Sequence, residues 1–441
     1  MSEIQDKQAQ YLVPGISTYY QDPLVLSHGE GRRVIDHKGT SYLDFFGGIL
    51  TVSIGHAHPA VIAAVTEQAG KLVHTSTLYL TEPMVQLAER LAHLTPEPLQ
   101  QSFFTTSGTE ANETAITMAQ LATGNSDVIA LRHSYSGRSQ MAMGLTGQST
   151  WKLGGSGMAL PIRHAHNAYC YRCPFGQTPD RCGLECAKDM EEFIKTTTSG
   201  RVAAFIAEPI QGVGGFITPP AEFFHETVTI ARKYGAIFID DEVQTGFGRT
   251  GKPFGINHYG VTPDIMTFAK GLANGFPIGA TIATPEVAQH YKGPTISTFG
   301  GNPVSMRAAL ATLDVMEQED LTENARILGQ KLRDGLDALA DRYPIVGDVR
   351  GMGLMQGLEI VRTDKAPAAD LASEFLERTK DRGLLVGKGG LYGNVIRIAP
   401  PMTVTASEIA EALSVMDNAL AAIYQAHPEV HDVPSTRIQY Q

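Results

Sequence analysis

The chain has 441 residues, 43% hydrophobic and 18% charged, a balance that fits a globular protein with a large buried core and excludes a disordered one. Its 35 Lys and Arg against 46 Asp and Glu give a net charge of −11 with no basic run, which argues against nucleic acid and anionic membrane as partners. No apolar stretch nears the ~18 residues of a bilayer span, and Met1 to Gln10 is polar without a signal pattern, so the expectation is a soluble cytoplasmic protein.

Up to about Gly55, short strand-like pieces (Val34-Ile35, Tyr42-Leu43) are interleaved with turn residues. From His56 to about Pro303, apolar runs alternate with helical patterns. Helices are expected at Met84 to Leu94, Glu110 to Ala122 and Glu222 to Tyr234. Strands are expected at Asp127 to Leu131, Val202 to Ala207, Ala236 to Ile239 and Ile265 to Ala269. That alternation predicts a mostly parallel, helix-covered sheet, an α/β fold. Beyond Pro303, helices at Ser305 to Glu317, Leu321 to Tyr343 and Ser407 to Tyr424 flank strands near Gly353 to Ile360 and Val395 to Ile398, a smaller α+β unit. The expected division is a large domain over 56–302 and a small one built from 1–55 and 303–441. In open α/β sheets ligands sit beyond the carboxyl ends of the strands, and the chemistry-bearing motifs fall there.

Thr106-Ser107-Gly108-Thr109-Glu110-Ala111 comes first. Ser107 and Glu110 fit a capping box, and Gly108 lets backbone approach closely, so the helix start can hold a phosphate; alone it is an ordinary cap. In Phe238-Ile239-Asp240-Asp241-Glu242-Val243-Gln244 a buried strand runs into carboxylates, which are costly there without a cation or strong donor. In Thr267-Phe268-Ala269-Lys270-Gly271-Leu272 a single lysine ends an apolar strand, where desolvation favours its neutral amine and a Schiff base. Alone it reads as a snorkelling lysine. Together, a phosphate cradle, a strand-end carboxylate and a strand-end lysine match the needs of pyridoxal 5′-phosphate.

The run Ile239 to Gly251 (IDDEVQTGFGRTG), followed by Asp264 and Ala269-Lys270-Gly271, resembles the signature of class III (ω-type) aminotransferases. Gly55-His56-Ala57-His58-Pro59, Glu208-Pro209-Ile210-Gln211-Gly212 and Thr298-Phe299-Gly300-Gly301-Asn302-Pro303 extend the resemblance, which covers roughly Tyr19 to Ile423. It implies fold type I of the pyridoxal-phosphate enzymes and a ping-pong transamination between amino and keto acids. It implies that Lys270 carries the cofactor as a Schiff base and shuttles the proton, and that Asp241 pairs with the ring nitrogen. Gln244 and Glu208 would lie near the ring hydroxyl, with Val243 and Tyr135 on the two ring faces. Ser107, Gly108 and Thr109 would bind the phosphate, helped by Thr298 from a neighbouring subunit of a homodimer or larger assembly. Arg397 would clamp the substrate carboxylate.

Two departures bear on this reading. Tyr135-Ser136-Gly137 stands where many relatives have an aromatic-His-Gly run; the stacking aromatic is kept. Val213 stands where relatives that use ω-amino donors and glutamate often carry a Glu that pairs with the arginine matching Arg397. Valine forms no ion pair, so Arg397 is expected to stay open, favouring pyruvate or glyoxylate over 2-oxoglutarate, with alanine, β-alanine or a related ω-amino donor. The Glu208 to Gly215 run is most similar to the alanine–glyoxylate (type 2) and β-alanine–pyruvate subgroup. The alternatives are a 4-aminobutyrate or ornithine type using 2-oxoglutarate, an aminomutase, racemase or decarboxylating enzyme of the same fold, or a non-catalytic cofactor sensor.

All four cysteines fall within one loop, as Cys170-x-x-Cys173 and Cys182-x-x-x-Cys186. The spacing resembles a structural zinc site; two disulfides or free thiols are the alternatives. Gly351 to Gly357 mimics a dinucleotide loop but lacks the spacing and the βαβ context, and reads as a turn beside a strand. His56 and His58 read as a helix-start turn.

Overall fold

The computed structural model describes residues 3–153, 161–431 and 433–438. Met1 and Gln441, the outer limits of the expected division, lie outside them. Its central element is a seven-stranded sheet in the order Gln101–Thr105, Gly279–Ala283, Ile265–Phe268, Ile237–Asp241, Val202–Ala207, Asp127–Leu131, Ile162–Ala165. All neighbours are parallel except Gly279–Ala283, which is antiparallel to both its partners. Every residue of Asp127–Leu131 and Val202–Ala207 is buried, the mark of strands covered by helices on both faces. Gly279–Ala283 was not expected from the sequence: Gly-Ala-Thr-Ile-Ala is a run of mostly small residues. The small residues have a purpose, since a Cβ on Gly279 would overlap the Ser107 carbonyl at the start of the helix beside it.

The strand expected at Ala236 to Ile239 runs on to Asp241, so both aspartates are inside the ladder: Asp240 lies opposite Ala207 and Met266, and Asp241 opposite Thr267. The helix expected from Glu110 begins at Gly108. Ser107 caps it by accepting from the Glu110 N–H at 3.3 Å. The capping box is not reciprocal, however, because the Glu110 carboxylate reaches back one residue further, to the Thr106 N–H at 2.8 Å.

Two four-stranded sheets flank this core. One joins the antiparallel Leu26–Glu30, Arg33–Asp36 and Ser41–Asp44 to Leu384–Leu385 from far along the chain. The other is antiparallel, in the order Val346–Met352, Met355–Ile360, Val395–Ile398, Gly387–Gly389. The Gly351 to Gly357 run is the tip of its first hairpin, as the sequence reading had it. The helix Leu321–Arg342 buries Leu321, Ala325, Leu328, Leu332, Leu336 and Leu339 along one stripe, each large side chain contributing about 1.5–3 kcal/mol. Gly329 on that stripe presses on the hairpin tip, where a Cβ would overlap Gly353.

Candidate active site

Three parallel strands end at one cavity of about 330 Å³. Asp241 arrives from Ile237–Asp241, Glu208 follows Val202–Ala207, and Lys270 lies just past Ile265–Phe268. Thr106, Ser107, Gly108 and Thr109, at the start of the helix Gly108–Thr123, close one side. Tyr135, Val243 and Gln244 line it as well. Lys270 sits at φ +44°, a left-handed conformation that a long side chain rarely adopts and that only a well-determined surround sustains.

The three consecutive acids have different fates. Glu242 points away and accepts from the Thr245 hydroxyl at 2.5 Å and the Ile256 N–H at 2.9 Å. Asp240 lies against Glu242, and burial, reinforced by that neighbour's charge, pushes it well above the usual carboxylate range. Asp241 alone lines the cavity. Its Oδ2 accepts from Asn112 Nδ2 at 2.8 Å and its Oδ1 from the Val243 N–H at 3.1 Å. Burial raises its pKa while those two donors and Lys270 pull it down. Asn112 also accepts from the Thr267 hydroxyl at 2.7 Å, tying the helix to the strand that delivers Lys270. Sequence reasoning missed Asn112; the available signal was an amide on the buried helix face otherwise carrying Ala115, Ile116 and Ala119.

Glu208 accepts from the Tyr135 N–H at 3.0 Å and the Gly212 N–H at 2.8 Å. Burial, then the Asp241 charge, pushes it up to about 8. Burial lowers Lys270 to about 8, against the pull of Asp241 and Glu208. Glu208 thus keeps its proton longer folded than unfolded, where its ordinary value is 4.5. Its contribution to stability is full below that value and is lost as pH rises through about 8. Melting curves of the cofactor-free protein should therefore show a melting temperature falling between pH 5 and pH 8, and Glu208→Gln should flatten that fall even while lowering stability overall. An unchanged slope in the variant would assign the fall to other groups.

Not every expected residue lines the cavity. Thr298 is exposed and outside the lining. Arg397, on Val395–Ile398, is 4% exposed and also outside it, though its charge helps lower the Lys270 pKa. Its Nη1 donates to the Gly212 carbonyl at 3.4 Å, its guanidinium lies 4.8 Å from the Phe46 ring, and its Nε has no partner. No carboxylate pairs with it among the described residues. Val213 is beside it: the position a Cβ on Gly389 would take is 2.8 Å from Arg397 Nε and 3.1 Å from the Val213 carbonyl.

The four cysteines line a separate cavity of about 440 Å³ as free thiols. Cys170 and Cys173 bracket a short 3-10 turn, Cys182 lies in a loop and Cys186 in the first turn of Glu185–Thr197. Among the described residues no group of three or more His, Cys, Asp or Glu is arranged to hold a metal ion. His58 accepts from the Ala60 N–H at 3.3 Å as a helix cap, and His56 lies 2.8 Å from Asp44.

The cavity residues fit pyridoxal phosphate. Gln244 Oε1 is buried without a partner, as a group awaiting a ligand hydroxyl would be. Gly108 leaves a cleft that a side chain would fill, since a Cβ there would lie 3.1 Å from Val243 Cγ1 and 3.4 Å from Ala269 Cβ. The first N–H groups of the Gly108–Thr123 helix have no intrahelical partner and suit a phosphate.

A family model described as aminotransferase class III matches residues 17–420. The chain is 41% identical to the mitochondrial alanine–glyoxylate aminotransferase 2 homolog 2 of Arabidopsis thaliana, over 95% of this chain and 87% of that protein. It is 36% identical to the 4-aminobutyrate aminotransferase GabT of Escherichia coli, over 94% of this chain and 97% of that one. A solved Bacillus anthracis aminotransferase superposes with a TM-score of 0.89 at 31% identity, covering 96% of this chain and 100% of the other.

Proposed function

This chain belongs to the class III aminotransferases, enzymes of pyridoxal-phosphate fold type I, and we propose that it moves an amino group from alanine, β-alanine or a related ω-amino donor to pyruvate or glyoxylate. The observation that carries the choice of acceptor is Arg397: a buried guanidinium with no carboxylate partner, beside Val213. The similarity to alanine–glyoxylate aminotransferase 2 supports the same reading.

Pyridoxal phosphate, when bound, supplies an electron sink for the charge left as a substrate Cα–H bond breaks. Lys270 would hold it, Asp241 would face its ring nitrogen, and Gln244 and Glu208 its ring hydroxyl. Ser107, Gly108 and Thr109 would take the phosphate through backbone N–H groups, because the Ser107 hydroxyl is spent on Glu110. Val243 and Tyr135 would cover the two ring faces. The Lys270 amine, lowered to about 8, accepts the proton from the substrate Cα and returns it, as general base then acid. Arg397 would orient the substrate carboxylate through two parallel N–H donors. The two half-reactions share this site in turn, hence ping-pong kinetics.

We propose a homodimer or larger assembly, in which the partner subunit's Thr298 completes the phosphate site. Exposed Leu78, Tyr79, Leu80, Ile296 and Phe299 support this, as apolar surface of that extent fits an interface. The two segments carrying them meet where the Ser297 N–H donates to the Thr77 hydroxyl at 3.2 Å.

The test is kcat/KM for pyruvate, glyoxylate and 2-oxoglutarate with one amino donor, in the native chain and in Arg397→Ala. Pyruvate or glyoxylate should lead. Arg397→Ala should raise the acceptor KM by roughly 10–100-fold, the worth of a charge-assisted pair. If 2-oxoglutarate leads, the inference from Val213 is wrong and the 4-aminobutyrate-type reading takes its place. Turnover without consumption of any keto acid would point to a racemase or aminomutase.

A further inference from the structure

The Gly212 to Gly215 turn is the surface against which Arg397 is held; it is closed by its own Gly215 N–H to Gly212 carbonyl bond at 3.2 Å and by the bridge between Gln211 and Ile217. Three of its four residues are glycine, and Gly215 adopts φ +99°. Such a segment has many conformations to lose on folding, so its shape depends on bonds to its backbone. At its near end the Gly212 N–H donates to Glu208 and the Gly212 carbonyl accepts from Arg397 Nη1. In the middle, the Val213 carbonyl accepts from the Gly390 N–H at 2.9 Å. At its far end, the Gly215 carbonyl accepts from Arg350 Nε at 2.8 Å.

Arg350 is itself held on several sides. It is 2% exposed, and its Nη1 donates to Asp348 Oδ2 at 2.8 Å and Glu359 Oε2 at 2.7 Å, both carboxylates being fully buried. Glu359 also takes Arg172 Nε at 2.5 Å and the Tyr169 hydroxyl. Burial pushes Glu359 up, and the charges of Arg350 and Arg172 overcome it and hold the carboxylate below its usual range. A cluster of two guanidinium and two carboxylate groups taken out of water is a poor source of stability compared with apolar packing. What it does supply is a rigid post. Asp348 and Arg350 lie on Val346–Met352 and Glu359 on Met355–Ile360, and the latter strand pairs directly with Val395–Ile398, which carries Arg397. The post and the clamp are therefore built on one sheet, with the glycine turn gripped between them.

We infer that Arg350 is a positioning residue for the substrate carboxylate: it fixes the Gly212 to Gly215 turn, and through that turn the placement of Arg397. This rests on the reading of Arg397 as the carboxylate clamp. Arg350→Lys keeps the charge and loses the Nε–H that reaches Gly215. In the cofactor-loaded enzyme it should raise the acceptor KM about tenfold with kcat within a factor of two to three and the cofactor absorbance band unchanged. Placed on Arg397→Ala it should add nothing, since effects that act through one group are not additive. Tyr169→Phe, which removes the hydroxyl that accepts from Arg350 Nη2 and donates to Glu359 but leaves the Arg350 bond to Gly215, should raise KM in the same direction by a smaller factor, and carries the test if Arg350→Lys does not fold. An Arg397→Ala variant with native KM would remove the clamp reading beneath this inference. A normal Arg397→Ala loss together with native KM in the Arg350 and Tyr169 variants, or an equal loss in both Arg397 backgrounds, would overturn the inference alone.

Discussion

Replacing Lys270 with alanine should lower turnover by about a thousandfold or more, the upper range of what a positioned acid–base group contributes. The same change should leave the folded chain as stable as before, or more so. Its amine is withdrawn from water at a strand end, with its pKa held near 8 by burial. Removing a buried charge relieves a desolvation cost, and although Asp241 and Glu208 lose the pull of the Lys270 charge, both keep their own donors from Asn112, Val243, Tyr135 and Gly212. The phosphate cradle at Gly108 and Thr109 is untouched, so the variant should still bind the cofactor non-covalently while lacking the Schiff-base absorbance band. Thermal melts, cofactor titration and single-turnover absorbance with an amino donor together read all three. Turnover within tenfold of native would show that another group moves the proton.

Much of this site was legible in the sequence, and the part that was not has a common physical cause. Ser107 capping a helix, Asp241 ending a strand and Lys270 following one are local patterns, each confined to a few residues. The ladder could also be read, with Asp127 to Leu131, Val202 to Ala207 and Val395 to Ile398 running between the limits expected. The misses depend on distant parts of the chain. Asn112 meets Asp241 across 129 positions, and Arg350 meets Gly215 across 135. Neither residue type is unusual where it stands. The extension of Ile237–Asp241 into the acids has the same origin: nothing local favours two aspartates in a strand, but ladder partners on both sides and the Asn112 donor do. The cysteines are a further local pattern: their spacing resembles a metal site, and the loop places all four around a 440 Å³ cavity.

Asp241→Asn should cost about 10²–10³ in kcat, the usual scale for removing a preorganised charge where charge develops in the reaction, while weakening cofactor retention much less than the loss of Lys270 would. The substitution is close to isosteric but not electrostatically neutral. Both Asp241 oxygens accept, one from Asn112 and one from the Val243 N–H, so an asparagine amide must turn its NH₂ toward one of these donors. A second variant separates charge from shape. Asn112→Ala leaves Asp241 in place but removes the first of the interactions that hold its pKa down against burial. The carboxyl then takes up its proton at a higher pH. A group whose ionised form is needed loses activity as pH falls through its pKa, so the acid limb of kcat should move to higher pH in Asn112→Ala, with the plateau at high pH largely retained. In Asp241→Asn that limb should vanish and the plateau itself drop. If Asn112→Ala lowered the plateau with no movement of the limb, Asn112 would be holding the helix to the Thr267 strand rather than tuning Asp241, and the charge on Asp241 would not be what limits the reaction at low pH.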